Sequence, residues 1–196
     1  TVDYRSPAEF AGQRVIVVRD RAVRRQLADL CREPMATYMA QTQLGEAPWN
    51  TVVPSRVVHG TVDPATLSSP FLDSLVDVPV LLVVCVDLSV VASFDRDLDR
   101  IGVISGASVY PLVQNILLAA RNAGYGGVIT TSLANREPAA QALLGLPRHV
   151  AVGALVPLGN LVRTDERAGA AARFHYLRAP SATISPSRMM ATRSAR

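Results

Sequence analysis

At 196 residues, with 49% hydrophobic side chains and a mean hydropathy of +0.22, the chain is long enough to bury a sizeable core and suits one domain. Its longest apolar run, Val78 to Val86, falls far short of the roughly 20 residues a bilayer-spanning helix needs, so no membrane partner is expected. All 20 basic residues are arginines, the formal charge is only +4, and arginines recur from Arg163 onward as a generic basic tail, so no nucleic-acid partner is expected.

The opening TVDYRSPAEF carries Asp3, Arg5 and Glu9 and no apolar stretch, so this stretch is not expected to be a secretory signal; it lacks an initiator methionine, so a leading segment is expected to have preceded it. RVIVVRD, Arg14 to Asp20, reads as a β-branched strand. It leads into a helix over Ala22 to Arg32 with Val23, Leu27 and Leu30 on one side. From Pro34 to Pro70 turn signals alternate with short apolar pieces, predicting a long excursion with at most one short helix. PVLLVVCVD, Pro79 to Asp87, is continuous and not alternating, the mark of a central strand buried on both faces. Cys31 and Cys85 fall inside that helix and that strand and are expected as reduced, buried thiols of a cytoplasmic protein, forming neither a disulfide nor a metal site.

SFDRDLDRIG, Ser93 to Gly102, lacks the ligand spacing and closing Glu of a calcium loop and reads as a solvated link. Next, Val109, Leu112, Val113, Ile116, Leu117, Ala120 and Ala123 recur at helical spacing, with Pro111 tolerated in the first turns. GGVITTS follows as a strand, Asn135 to Gly145 as a helix, and HVAVGALVPLG, His149 to Gly159, as another apolar strand. One domain over 1–167 and an irregular Arg-, Ala- and Ser-rich tail over 168–196 complete the expectation.

Known motifs are mostly excluded. A dinucleotide fingerprint needs its glycines after a strand and before a helix, whereas Gly124-Tyr-Gly126-Gly127 follows a helix and precedes a strand. There is no phosphate-binding loop ending in Lys, no G-x-S-x-G frame around Ser105 or Ser108, and His59, His149 and His175 lack metal-ligand spacing. Gly124 suits the left-handed position after a helix end. Gly126 and Gly127 exceed that need, which leaves two readings: close approach of the backbone to a flat group, or tight packing against a neighbouring helix.

The ordered block Gly106-Ala-Ser-Val-Tyr-Pro111, Gln114-Asn-Ile-Leu-Leu-Ala-Ala-Arg121 and Gly124-Tyr-Gly-Gly-Val-Ile-Thr-Thr131 closely resembles the nitroreductase family of FMN-dependent oxidoreductases. The likeness continues upstream through Asp77 to Val84, and downstream through Arg136-Glu-Pro, Leu143 to Pro147 and Ala154 to Gly159.

The resemblance implies an α+β fold with a central mixed, mainly antiparallel sheet flanked by helices, assembled as a homodimer with two FMN sites at the subunit interface. It implies that Gly126, Gly127, Val128, Ile129, Thr130 and Thr131 run along the flavin with backbone N–H groups near its reactive edge. Arg163 and Arg167 match the family's phosphate-gripping segment after the last core strand, a solvated strand exit being the plainer reading. Ser6 to Arg14 stands where the family has a Pro-Ser-x-x-Asn-x-Gln-Pro-Trp-like loop against the flavin, with Gln13 and Arg14 as its remnants.

No catalytic acid–base pair is implied, because FMN carries the electrons from NAD(P)H to a small-molecule electron acceptor. Two functions follow: a reductase of nitroaromatics or quinones, or a non-catalytic relative acting as a flavin-binding or structural dimer. Trp49 and Met39 of the excursion stand either above the flavin or in the core.

Overall fold

The computed structural model describes residues 12–58 and 60–160. Four strands form one sheet in the order β1-β2-β4-β3: β1 Gln13–Val17, β2 Val80–Asp87, β3 Tyr125–Gly127 and β4 Val150–Asn160. Every pairing among them is antiparallel, so the parallel component of the expected mixed sheet is not found among the described residues. β2 is central, as its unbroken apolar run predicts, and lies buried from Leu81 to Asp87 between β1 and β4.

Along β2 the side chains alternate between two cores. Leu81, Val83 and Cys85 face α1 (Arg21–Gln43), α2 (Pro70–Ser74) and α4 (Glu137–Leu144), packing with Leu27, Cys31, Leu72 and Ala140. Leu82, Val84 and Val86 face α3 (Tyr110–Asn122), packing with Val109 and Val113. β4 holds to both cores by a bulge. Val84 pairs with Ala154 and the adjacent Cys85 with Val152, leaving Gly153 as the extra residue. Val150 and Val152 therefore share the α1 side with Leu155, while Ala154 and Val156 face α3. A Cβ at Gly153 would meet Val109 Cγ1 at 2.6 Å, which is why this position is glycine.

α1 begins where Asp20 accepts hydrogen bonds from the N–H groups of Ala22 (2.7 Å) and Val23 (3.1 Å). It then runs through Pro34 to Gln43, correcting the sequence expectation of an irregular excursion from Pro34. A proline inside a helix forfeits one backbone bond. Burial of Ala36, Thr37 and Gln41 offsets that loss, together with packing on the 3₁₀ turn Ser132–Arg136 and the ion pair from Arg136 to Glu33 at 2.5 Å.

α3 starts after a 3₁₀ turn over Ile104–Ser108 and ends at Gly124, whose φ of +87° bears out the cap reading. The solvated link also needs correcting: Asp95 is only 4% exposed. Its carboxylate accepts from Val103 N–H (2.7 Å), Arg100 (2.8 Å) and Ser93 Oγ (3.1 Å), folding 93–104 around itself.

Candidate functional site

The segment Gly126 to Thr131 forms the free edge of the sheet. Gly126 pairs with Gly159 and Gly127 with Leu158; beyond the strand, Val128 N–H donates to Pro157 and Thr130 N–H to Leu155 (3.0 Å). Successive peptide groups of an extended chain point to opposite sides, so the Ile129 N–H is turned away from β4. Val128 and Ile129 are 46% and 37% exposed, an unusual state for β-branched residues beside a core.

Gly127 resolves one of the two glycine readings by geometry. A Cβ there would stand 2.4 Å from Leu158 Cδ2, 2.9 Å from Leu117 Cδ2 and 3.0 Å from the Pro157 carbonyl oxygen. This glycine is demanded by the packing of α3 over β3 and β4. Gly124 meets nothing within 4 Å and is demanded by its φ alone.

Ile129, Thr130, Thr131 and Ser132 form one wall of a cavity of about 670 Å³, with Asn135 beside them. The opposite wall is Pro34, Met35 and Tyr38 of α1 with Pro48 and Trp49 of the following loop. Among these lining residues there is no carboxylate, guanidinium or imidazole. Donors are supplied by hydroxyls, Thr130 Oγ1 and Ser132 Oγ lying 3.1 Å apart, and by the Asn135 amide. Beneath Ser132 the Cys31 thiol is fully buried, and burial raises its pKa, partly offset by a hydrogen bond with Ser132.

Gln13 lies elsewhere. It lines a second cavity of about 510 Å³ with Val90 to Ala92 and with Pro111, Leu112 and Asn115 of α3, and its amide donates to the Ser108 carbonyl. The two cavities share no lining residue, so Gln13 and the Gly126–Thr131 edge are not brought together within one described chain.

Arg14 is engaged with Asp87 at 3.2 Å. The Asp87 carboxyl is held below its ordinary range, first by Ser89 Oγ (2.5 Å) and further by Ser89 N–H, His149 and Arg14. Neither Arg14 nor any other cation lines either cavity among the described residues, and Arg163 and Arg167 lie outside those residues.

Sequence reasoning left Trp49 and Met39 alike as either a wall above the flavin or core, and Trp49 lines the cavity. Met39 is 42% exposed and outside the lining, and Met35 takes its place. Pro34, Met35 and Tyr38 were hidden by the proline that seemed to end their helix. Their spacing of about one turn, Met35 to Tyr38, was the signal that a continuing helix would present them together.

An α+β domain with an antiparallel sheet, an exposed strand edge and an adjoining uncharged cavity is the class these features define. The nitroreductase family model matches residues 5–160, and the chain belongs to that family. Solved structures similar to this chain include nitroreductase A from Vibrio parahaemolyticus, at 22% identity and a TM-score of 0.47, with 76% of this chain and 49% of that one covered. The NADPH:FMN oxidoreductase of Vibrio harveyi complexed with NAD+ is 21% identical, at a TM-score of 0.48, with coverage of 77% and 51%. B. megaterium NfrA1 is 17% identical, also at 0.48, with coverage of 76% and 49%. The chain thus spans about half the length of these structures. No curated protein matches it at a significant level.

Proposed function

We propose that the protein is an FMN-dependent oxidoreductase that takes electrons from NAD(P)H and delivers them to an electron-poor small molecule such as a nitroaromatic or a quinone. The observation that carries this reading is the Gly126–Thr131 edge, which belongs to the family-matched region and leaves the Ile129 N–H unclaimed by the sheet beside an uncharged cavity. A flavin ring is flat, largely apolar and edged with acceptors, and this donor set of backbone N–H, hydroxyls and amide fits it.

When bound, FMN would supply the two-electron chemistry between NAD(P)H and the acceptor. The chain's part is to seat the ring edge along Ile129 to Thr131, to exclude water with Tyr38 and Trp49, and to present hydroxyls to the acceptor. The phosphate would be gripped by Arg163 and Arg167.

A homodimer is part of the same proposal. It is supported by the outer side of α3, where Leu118 is 56% and Tyr110 45% exposed, and by Val15 and Val17 of β1, which are 44% and 50% exposed. A cytoplasmic setting is supported by two buried, unpaired cysteines. Among the described residues no helix is long and apolar enough to cross a membrane.

One observation favours the second reading, a non-catalytic flavin-binding or structural dimer: no described cation lines either cavity, so phosphate binding rests on groups other than the described lining. The absorption spectrum of dialysed full-length protein after addition of FMN decides between them. A retained flavin band that bleaches on anaerobic addition of NADPH or NADH supports the reductase. A band lost on dialysis, or one retained but not bleached, transfers the protein to the second reading.

A further inference from the structure

Trp49 is the sole tryptophan of the chain and, among the described residues, the one non-glycine residue with a left-handed backbone, at φ 55°. Bulky side chains avoid that region, and such a residue persists only where its surroundings hold it. The holding group is the amide of Gln41, a side chain only 2% exposed near the end of α1. Its Oε1 accepts the Trp49 N–H (3.0 Å) and its Nε2 donates to Ser55 Oγ (3.0 Å). Ser55 Oγ in turn donates to Glu46 Oε2 (2.6 Å), and Glu46 Oε1 accepts Arg56 N–H (2.9 Å) and Nε–H (3.1 Å). Arg56 closes the loop on the Leu44 carbonyl at 2.5 Å. A network that ties both ends of an exposed loop to one buried amide does more than join two helices.

Its effect is to set the half-buried Trp49 across the cavity from Ile129 to Ser132, with Pro48 and Tyr38 on its flanks. A charged ligand entering there would lose hydration without meeting an opposite charge, at a cost that falls on affinity. A flat neutral ring gains aromatic contact on one side and hydroxyl donors at its edge.

We infer that Trp49 is the ring-stacking wall of this cavity, that Gln41 is the positioning residue that holds it there, and that the site selects uncharged planar aromatic ligands over anionic ones of the same shape. This rests on the reductase reading only for what happens to the ring once bound.

The experiment titrates full-length protein, with and without added FMN, with 4-nitrobenzamide and with 4-nitrobenzoate, which differ in charge and little in shape. Trp49 emission and calorimetry give the dissociation constants. Saturable quenching by the amide is expected, with the carboxylate at least about tenfold weaker. Trp49→Phe should keep amide binding by calorimetry, and Trp49→Ala should weaken it about tenfold. Gln41→Leu should weaken it by a similar factor, with the emission maximum shifted to the red. The exposed-loop Trp49 variants test the wall even if Gln41→Leu fails to fold. Equal affinity for the two nitro compounds, or unchanged binding by Trp49→Ala, overturns the inference. A flavin band that bleaches while the amide does not bind at Trp49 sinks this inference alone. Binding through Trp49 with no bleachable flavin sinks the reductase reading alone.

Discussion

Replacing Gly127 by alanine separates the two reasons a glycine can stand beside a flat ligand. The added methyl would lie 2.4 Å from Leu158 Cδ2, 2.9 Å from Leu117 Cδ2 and 3.0 Å from the Pro157 carbonyl oxygen. Carbon atoms in a packed interior sit roughly 3.5 to 4 Å apart. The two leucine ends can rotate away at modest cost. The carbonyl belongs to β4 and accepts from Val128 N–H, so relieving that contact moves the ladder itself. Overpacking of this kind costs about 1–3 kcal/mol. Gly127 is absent from the left-handed glycines, so alanine keeps its backbone conformation and regains roughly 0.4–1 kcal/mol by restricting the unfolded chain. The net expectation is destabilisation by about 1–2 kcal/mol. Urea unfolding followed by circular dichroism measures it, and Leu117→Ala in the same chain should give a less than additive loss because it removes one clash. Gly124→Ala is the control: its φ of +87° makes it cost about 1 kcal/mol with no coupling to Leu117. Wild-type stability in Gly127→Ala, with additive loss in the double variant and loss of bound flavin, would refute the packing argument and return this glycine to the ligand.

Other outcomes follow from buried polar groups. Arg24, 8% exposed, donates to the carbonyls of Val18 (2.8 Å), Val76 (3.4 Å) and Val78 (2.6 Å), so Arg24→Met should cost roughly 3 kcal/mol in chemical denaturation, and a loss under about 1 kcal/mol would mean water replaces it. The Asp95 carboxyl is held well below the usual range, first by Val103 N–H and then by Arg100. A depressed carboxylate stabilises the fold above its unfolded pKa and loses that contribution as pH falls toward its folded value. Between about pH 5 and pH 3 the wild type should therefore lose stability more steeply than Asp95→Asn, and parallel curves would remove Asp95 as the organiser of 93–104. Burial pushes the Cys85 thiol up to about 11, leaving roughly one molecule in a thousand as thiolate at pH 8, so a disulfide reagent should modify Cys85 only as fast as the protein unfolds. Modification of the folded state at the rate of a free thiol would contradict its burial.

The sequence disclosed what is local and withheld what is made at a distance. β2 was legible because a strand buried on both faces must be apolar at every position, and Gly124 because helix ends have few chemical solutions. The course of α1 beyond Pro34 was not legible, since its continuation depends on Arg136 reaching Glu33 and on the turn at Ser132–Arg136, about a hundred residues away. The bulge at Gly153 was equally hidden: VAVGALV reads as one apolar run, and only the pairing of Val84 with Ala154 and Cys85 with Val152 shows the chain changing faces. In SFDRDLDRIG the charges suggested solvent, yet one of its aspartates collects the backbone donors of Val103 and Ile104 and is buried by doing so. Of the candidate site, the edge segment was named residue by residue from its resemblance. The cavity wall opposite was missed wherever it depended on α1 staying helical.

α3 explains why the two portions of the candidate site lie apart in one chain. Its first turns, through Pro111, Leu112 and Asn115, border the groove of Gln13, and a later turn presses Leu117 onto Gly127 at the head of the exposed edge. Its inner face is committed to Val84, Ala154 and Val156, while Tyr110 and Leu118 on its outer side are left about half exposed by the described chain. A second copy laid against that surface would screen apolar area and close over both borders of the helix at once. On the proposed reading, association and cofactor retention are then one equilibrium: the dimer completes the flavin site, and bound flavin stabilises the dimer by mass action. A monomeric protein that holds flavin as tightly as the dimer would break that link and assign the whole site to a single chain.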